Sequence, residues 1–344
     1  MIVSRAPFRL PIGGGGTDLP SYYRHHEGYL ITAAINKYMY ININEPAVFN
    51  KIKINYSKTE IVNPQDIDLI QHEIVRETLK HLKLRKPLEI SSMADLSAGT
   101  GMGSSSTYTV GLLRALHTMN RRHVSLHDLA EEACKVEIEL IGKPIGKQDQ
   151  YAATFGGIIE MHIDRSGKVQ VNPIPLHQET IYELEHRLMM FSTHIERDAN
   201  IILGEQSQKV DAASQKETAG SKEGEQQMAA LEAMHQIKAI GLQMRDALVN
   251  DRLDRIGELM HEHWICKKRI SNKMSSSQID SWYELALQNG AIGGKIMGAG
   301  GGGLFVFFVK NPDRRRLRQA LEKAGLKYMD FKFDFEGVKI LANV

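Results

Sequence analysis

The residues most able to do chemistry in this sequence lie beside three clusters of glycine. These clusters occupy residues 13–16, residues 99–103 and residues 298–303. Glycine permits positive φ angles and allows the backbone to approach a ligand closely. One such cluster could be an ordinary turn. Three of them suggest a ligand that touches the backbone in three places.

The second cluster has the composition of a phosphate-binding loop. Residues 97–107 read Ser-Ala-Gly-Thr-Gly-Met-Gly-Ser-Ser-Ser-Thr, and a helix is predicted from Ser104 to Met119. The first turn of a helix exposes N–H groups and a partial positive charge, which attract phosphate. Serine hydroxyls could add hydrogen bonds or bind Mg²⁺. Because no lysine follows Gly103, the loop is not a Walker A motif, and a serine-capped surface loop remains an equal alternative.

The third cluster formally matches the dinucleotide fingerprint G-x-G-x-x-G, but its context is wrong. That fingerprint follows a strand and opens a helix. Here the predicted strand, Leu304 to Val309, comes after the glycines. We therefore reject a Rossmann site and expect a glycine turn that brings backbone close to an active site.

Glu137 lies where an apolar residue would be expected. A helix predicted from Ser125 to Ile141 has one apolar stripe, and Glu137 falls in its middle when residues are placed at about 100° intervals. Burying a carboxylate is costly unless it is paired or bound to a metal. Glu137 is therefore either the partner of an arginine or a metal-binding or catalytic group. Asp149 follows twelve residues later, and local sequence favours a helix-capping role for it.

A second group of candidate metal ligands is weaker. His261, Glu262 and His263 precede Cys266 by a few residues. Residues two apart on a helix point to different faces, and the spacing is not H-E-x-x-H. No metal site is expected there.

Composition limits the classes of protein that remain. A chain of 344 residues suggests about two domains, and 42% hydrophobic with 24% charged residues is typical of a globular protein. Lys+Arg is 43 and Asp+Glu is 41, so the charge balance does not favour a nucleic-acid or membrane-surface partner. Two distant cysteines and the absence of a signal-like or membrane-spanning apolar run predict a cytoplasmic location.

The pattern of predicted elements suggests a boundary near residue 185, giving domains 1–185 and 186–344. The first part has strand-like and helical segments around the first two glycine clusters, and a strand pair is expected over 157–163 and 168–173. From about residue 200 to 277 the chain reads as long polar helices. Strand and helix patterns then alternate to the end.

Taken together, three motifs resemble those of the GHMP small-molecule kinases, and the resemblance covers essentially the whole chain. The motifs are residues 6–18 (APFRLPIGGGGTD), residues 99–106 (GTGMGSSS) and residues 290–303 (GAIGGKIMGAGGGG). The resemblance implies an α+β fold of two domains. The N-terminal domain would be a ribosomal-protein-like α/β domain and the C-terminal one a ferredoxin-like domain with inserted helices, with the active site between them.

Within the family the sequence is similar to the sugar-1-kinase branch. Gly-Gly-Gly-Thr-Asp at 14–18 and Gly-Lys-Gln-Asp-Gln-Tyr-Ala-Ala at 146–153 fit that branch. The resemblance implies transfer of phosphate from ATP to the anomeric hydroxyl of a sugar, most closely a heptose 7-phosphate, giving a 1,7-bisphosphate for polysaccharide biosynthesis. An L-fucokinase-like enzyme or another sugar-1-kinase is the alternative. A non-catalytic sugar and nucleotide sensor on the same fold is the alternative of another class.

The roles implied by the resemblance fall on named positions. Asp149 would accept or orient the acceptor's proton and Arg9 would stabilise the developing charge. Mg²⁺ would be held by Ser105 and Glu137. The triphosphate of ATP would contact the second motif: Gly99, Thr100, Gly101, Met102, Gly103, Ser104, Ser105 and Ser106. The sugar would contact the remaining site residues: Gly15, Gly16, Thr17, Asp18 and Arg197.

Two points are specific to this sequence. His194, three residues before Arg197, stands where similar sequences tend to have glycine. No motif assigns the group that binds the second phosphate of the sugar, and five basic residues are candidates for it: Arg24, Lys37, Arg197, Lys268 and Arg269. The expected partners are the sugar phosphate and ATP, with a homodimer left open and with neither nucleic acid nor a membrane.

Overall fold

The secondary structure comes from a computed structural model that describes residues 1–97, 99–195, 199–215 and 222–344. The strands, in chain order, are β1 (Ile2–Gly13), β2 (Gly28–Asn44), β3 (Ile52–Asn55), β4 (Thr59–Val62), β5 (Leu88–Ala94), β6 (Ile158–Ile163), β7 (Val169–Pro173), β8 (Leu188–Ser192), β9 (Ala291–Ile296), β10 (Leu304–Val309), β11 (Lys327–Met329) and β12 (Lys339–Asn343). The α-helices are α1 (Pro20–His26), α2 (Glu73–His81), α3 (Ser104–Met119), α4 (Leu126–Cys134), α5 (Gln148–Phe155), α6 (Gln178–Arg187), α7 (Ala199–Ser214), α8 (Lys222–Val249), α9 (Leu253–Ile270), α10 (Ser277–Gln288) and α11 (Arg314–Lys323).

The first sheet is built around the long antiparallel pair β1–β2. In the described part of the chain it has eight strands in the order β12-β1-β2-β5-β3-β4, with β6 also pairing β2 and β7 pairing β6. The first half of β2 is buried throughout, because α3, α5 and α8 all pack against this strand. A strand covered in this way reads as a continuous apolar run rather than as an alternation. The first glycine motif begins at the end of β1 and so starts from this buried pair of strands.

The second sheet has the topology of a ferredoxin-like domain. Its order among the described residues is β11-β8-β10-β9, with every neighbouring pair antiparallel. Helices α7, α8 and α9 are inserted between β8 and the α10–β9 segment. An aromatic cluster fills the space between this sheet and its helices, and the rings of Phe305 and Phe307 stack 4.8 Å apart. The predicted two-domain α+β fold is confirmed, including the ferredoxin-like half.

The chain crosses back to the first sheet at its end. The predicted boundary at 185 falls inside α6, one turn before β8 begins. β12 pairs with β1, with Ile2 opposite Asn343, so the last residues of the predicted second domain lie in the first sheet. No described helix is both long and apolar enough to cross a membrane.

The helices predicted from the spacing of apolar residues agree only in part with the observed ones. α3 spans the residues that the sequence predicts. The helix predicted over 125–141 instead divides into α4 and a π-helical turn, Lys135–Leu140. A 3₁₀ turn, Ile67–Leu69, precedes α2. Single-turn π segments are frequent at functional sites, and this one carries Glu137.

Candidate active site

The three glycine clusters meet around one cavity of about 330 Å³. Most residues predicted for the site line this cavity: Arg9, Gly15, Gly16, Asp18, Gly99, Gly101, Gly103, Ser104, Ser105, Ser106 and Asp149. They come from both halves of the first domain, and Gly298 adds the third cluster from the second domain. Three loops distant in sequence therefore share one ligand-sized space.

An ion pair stands at the centre of the cavity. Arg9 extends from β1, and its Nε donates to Asp149 Oδ1 at 2.6 Å while Nη1 donates to the carbonyl of Gly101 at 2.7 Å. Asp149 lies in the first turn of α5. Hydrogen bonds that involve a charged group are stronger than those between neutral groups. The guanidinium of Arg9 donates both bonds and therefore holds the Asp149 carboxylate beside the second glycine loop. A helix-capping role, which the local sequence favoured, is not seen, because no side chain caps α5.

Gly103 is required at its position for two reasons. Its φ is +81°, in the left-handed region, and a Cβ there would lie 2.8 Å from Asp149 Oδ2. Gly103 is also the N-cap residue of α3, and it has no side chain that could accept from the N–H groups of the first turn. Those donors consequently point to the space beside Asp149, where a phosphate can bind them.

Two residues of the second motif do not line the cavity. The Met102 side chain is fully buried in the core, and the Thr100 hydroxyl donates to the carbonyl of Ser97. Ser106 behaves differently, because its buried Oγ has no hydrogen-bond partner in the described structure. The motif thus contributes serines and backbone to the cavity, whereas Met102 anchors the loop.

The first motif holds a buried carboxylate. Asp18 accepts hydrogen bonds from the backbone N–H groups of Gln148 and Gly16, both at 3.0 Å. Burial raises the pKa of Asp18, partly countered by these two hydrogen bonds, and the charge of Asp149 raises it further. Thr17 is buried and donates to the carbonyls of Gly14 and Tyr29, so its side chain holds the loop and does not face the cavity.

The third motif packs directly against the second. A Cβ on Gly298 would lie 2.7 Å from the carbonyl oxygen of Gly101, and one on Gly303 would lie 2.4 Å from that of Thr100. Both glycines have positive φ angles, +66° and +85°. Backbone contact this close excludes any side chain, which explains a glycine run that precedes a strand and does not begin a helix.

Glu137 is fully buried, and its partner is a lysine. Lys143 Nζ lies 3.1 Å from Oε1, and Gln150 Nε2 donates to Oε2 at 2.9 Å. The arginine partner considered from the sequence is therefore a lysine six residues later, and Lys143 itself lines the cavity. In the described part of the chain, no three His, Cys, Asp or Glu side chains group as metal ligands.

Arg197 lies outside the described residues. His194, three residues before it, has a φ of +56°, in the region that favours glycine, which accounts for the glycine of similar sequences at this position.

The sequence did not predict several other residues that line the cavity, namely Lys143, Asn200, Gln206, His263, Lys267 and Lys295. Lys295 had a signal in the sequence, since it stands in an otherwise apolar strand.

Comparison with known proteins agrees with the geometry. Family models of the GHMP kinase N-terminal domain and of the GHMP kinase C-terminal region match residues 69–157 and 244–327. The chain is 33% identical to the D-glycero-alpha-D-manno-heptose 7-phosphate kinase of Campylobacter jejuni, over 98% of both chains. It is 25% identical to the bifunctional fucokinase/GDP-fucose pyrophosphorylase of Arabidopsis thaliana, over 92% of this chain and 31% of that protein.

Solved structures show the same relationship. A D-glycero-D-manno-heptose 1-phosphate kinase from Bacteroides thetaiotaomicron superposes with a TM-score of 0.79 at 25% identity, covering all of both chains. The galactokinase of Lactococcus lactis in complex with galactose shares the fold, with a TM-score of 0.77 at 17% identity, over 98% of this chain and 94% of that one. The predicted family and kinase activity are confirmed: the chain belongs to the GHMP kinases and is an ATP-dependent phosphotransferase homologous to sugar kinases.

Proposed function

We propose that this kinase transfers the terminal phosphoryl group of ATP to the anomeric hydroxyl of D-glycero-D-manno-heptose 7-phosphate, giving the 1,7-bisphosphate. The observation that carries the proposal is the Arg9–Asp149 pair, held at 2.6 Å beside the open first turn of α3. The similarity to a heptose 7-phosphate kinase over 98% of both chains supports this acceptor.

In this proposal Asp149 orients the acceptor hydroxyl and takes its proton as the oxygen attacks phosphorus. Arg9 lies between the Asp149 carboxylate and the Gly101 carbonyl, so its charge is already fixed where negative charge develops on the transferred group. Phosphoryl transfer needs mainly positioning and charge neutralisation, and a preset cation supplies both.

The phosphates of ATP would bind the N-terminus of α3. Gly99, Gly101 and Gly103 have φ angles of +81°, +78° and +81°, which place their backbone around the cavity. The hydroxyls of Ser105 and Ser106 lie in the first helical turn, and that of Ser106 has no partner among the described residues. A triphosphate would satisfy these donors and complement the helix dipole.

Two oxygen donors support a magnesium site in this proposal: Ser105 lines the cavity, and the buried Glu137 reaches its edge through Lys143. Glu137 Oε1 already binds one cation, the ammonium of Lys143, at 3.1 Å. The long side chain of Lys143 is flexible, so its ammonium can move away from Glu137 when a metal ion binds. We infer that Glu137 and Ser105 would hold Mg²⁺ when ATP binds, because carboxylate and hydroxyl oxygens are ligands this ion prefers. The ion would neutralise the charge of the phosphates.

The acceptor would bind at the first motif. Asp18 is buried with its oxygens directed by two backbone N–H groups, so it can accept hydrogen bonds from sugar hydroxyls. Gly15 and Gly16 line the cavity without side chains, which leaves room for the tail of a seven-carbon sugar. A cytoplasmic location and a homodimer stay predictions from the sequence and the resemblance.

The test is ADP release with ATP and Mg²⁺ over a panel of acceptors. The panel contains mannoheptose 7-phosphate, sedoheptulose 7-phosphate, mannose 6-phosphate, L-fucose and galactose. We expect turnover with the phosphorylated sugars, fastest with mannoheptose 7-phosphate. Turnover with L-fucose alone would assign the protein to the fucokinase-like alternative. Binding of ATP without turnover of any sugar would support the sensor.

A further inference from the structure

A second group of basic residues lines the cavity, and the roles given above do not use it. Lys295 lies on β9, and His263 and Lys267 lie one turn apart on α9. All three belong to the second domain, and α9 packs against β9. The first domain supplies Arg9 and the phosphate loop. The cavity therefore has a second basic wall, formed by Lys295, His263 and Lys267, which we call the α9–β9 wall.

Lys295 is a buried lysine, and no acidic side chain of the described residues pairs with it. It is 2% exposed, and its Nζ donates to the carbonyl of Ile12 at 2.8 Å. Burial, with a smaller effect from the charge of Arg9, lowers the pKa of Lys295 to about 7. Among the described residues, the one charge acting on it is thus another cation. Burial of a charge is tolerated when an opposite charge compensates it, so this arrangement favours an anionic ligand.

The buried ring of His263 is a second, independent indication that a ligand binds at this wall. It is 2% exposed, and within the described part of the chain neither ring nitrogen has a hydrogen-bond partner in another residue. Buried polar side-chain atoms nearly always have such a partner. Burial, aided by the charges of Lys295 and Lys267, lowers the pKa of His263 well below its usual value, so the ring is neutral and carries one N–H donor.

The position of this wall favours the acceptor over the nucleotide. Ile12, whose carbonyl holds Lys295, directly precedes the glycines of the first motif, where the sugar is proposed to bind. The phosphates of ATP already have donors at the N-terminus of α3. Lys267 donates to the carbonyl of Gly298, which holds its ammonium beside the third glycine motif at the edge of the cavity.

Four of the five basic residues named from the sequence do not occupy such a place, and the fifth, Arg197, lies outside the described residues. Lys268 pairs with Asp280 at 3.1 Å, and Arg269 donates to Gln236. Neither they nor Arg24 and Lys37 line the described part of the cavity. This leaves the α9–β9 wall as the basic surface that a second anionic group of the acceptor would meet there.

We propose that Lys295, His263 and Lys267 form the binding subsite for the second phosphate of the acceptor sugar. The inference rests on the proposed function, which requires a phosphorylated acceptor. Hydrogen bonds from the two ammonium groups and the imidazole would reach a phosphate dianion, and its charge would compensate the buried lysine. The subsite would select phosphorylated sugars over neutral ones.

Calorimetric titration without ATP tests this subsite directly. The ligands are mannoheptose 7-phosphate and unphosphorylated mannoheptose, and the proteins are the wild type, Lys295→Met, Lys267→Met and His263→Gln. We expect each lysine variant to lose about 10- to 100-fold in affinity for the phosphorylated sugar and less than about twofold for the neutral one. Lys268→Met, one residue from Lys267 on the same helix, is the matched control and should bind both sugars as the wild type does.

Three results would overturn the proposal in distinguishable ways. Equal losses for both sugars would make these residues structural. An unchanged affinity for the phosphorylated sugar with a raised KM for ATP would assign the wall to the nucleotide. In both cases wild-type turnover of mannoheptose 7-phosphate leaves the proposed function intact. A wild type that neither prefers nor phosphorylates the phosphorylated sugar would overturn the proposed function together with this subsite.

Discussion

The two walls of the cavity differ in how their charges are compensated. On the first-domain wall Arg9 pairs with Asp149, and Lys143 pairs with Glu137. On the α9–β9 wall, among the described residues, Lys295 donates to the carbonyl of Ile12, and the charge that acts on it is that of another cation, Arg9. A compensated pair is preorganised before any ligand arrives, whereas an uncompensated cation gains its counter-charge from the ligand. The comparison assigns positioning for chemistry to the first wall and recognition of an anion to the second.

The largest expected effect comes from removing the charge of the first-domain wall. Asp149→Asn keeps the size of the side chain but cannot take a proton from the acceptor. We expect turnover to fall by at least about 1,000-fold, with ATP affinity within a few-fold of the wild type, as measured by ADP release and by calorimetry. Near-normal turnover would remove Asp149 from the proposed mechanism.

A second, smaller loss should follow from displacing the same carboxylate without altering it. Gly103→Ala places a Cβ 2.8 Å from Asp149 Oδ2, at a φ of +81°. Gly142→Ala is the matched control, since its φ is also +81° and nothing lies within 4 Å of the added Cβ. Both variants should lose about 1–2 kcal/mol of stability, but only Gly103→Ala should lose turnover, by about 100-fold. Similar kinetics in the two variants would contradict the account.

Glu137 offers a test of the compensated pair as a metal site. Glu137→Gln removes the carboxylate charge proposed for Mg²⁺, so the Mg²⁺ concentration for half-maximal rate should rise about tenfold. Binding of Mn²⁺ in the presence of ADP, followed by electron paramagnetic resonance, should weaken in parallel. Glu139→Gln alters an exposed residue of the same turn and is the control. An unchanged metal titration would make Glu137 a structural residue.

The smallest effect concerns the pH dependence of the α9–β9 wall. Burial, with a smaller effect from the charge of Arg9, lowers the pKa of Lys295 to about 7, and Lys295 in turn acts on the neighbouring ring of His263. Above that pH the lysine loses its proton, so acceptor affinity should fall about fivefold from pH 7 to pH 8. The neighbouring His263 is already neutral and does not contribute.

The stability of the fold should depend on pH in the opposite direction. The unfolded chain keeps this lysine protonated to about pH 10.4, so it binds more protons than the folded state above pH 7, and stability rises with pH there. Lys295→Met should abolish both slopes, whereas Lys268→Met should keep them. A wild-type affinity that does not change from pH 7 to pH 8 would contradict a charged Lys295.

Much of this site was predictable because its loops are defined by local backbone demands. Gly103 must have a positive φ, and α3 begins directly after it, so the motif and the helix could be recognised together. Arg9 and Asp149 followed from the resemblance, and the cavity brings them together. The apolar stripe correctly predicted that Glu137 is buried.

Other features depend on tertiary contacts that no local pattern records. The spacing of apolar residues cannot distinguish the hydrogen bonds of a π-helical turn from those of an α-helix, so Lys135–Leu140 was predicted as a continuous helix. The motif does not tell which side chains turn inward, and Met102 and Thr17 proved to hold their loops. His263 and Lys295 are far apart in sequence, and only the packing of α9 on β9 brings them to one wall.

The central claim is that the Arg9–Asp149 centre phosphorylates the anomeric oxygen of a heptose 7-phosphate. It is tested most directly by phosphorus nuclear magnetic resonance of mannoheptose 7-phosphate incubated with ATP, Mg²⁺ and either the wild type or Asp149→Asn. The account predicts a new phosphate signal coupled to the anomeric proton with the wild type and none with the variant. A phosphate at another carbon, or the same signal with Asp149→Asn, would contradict it.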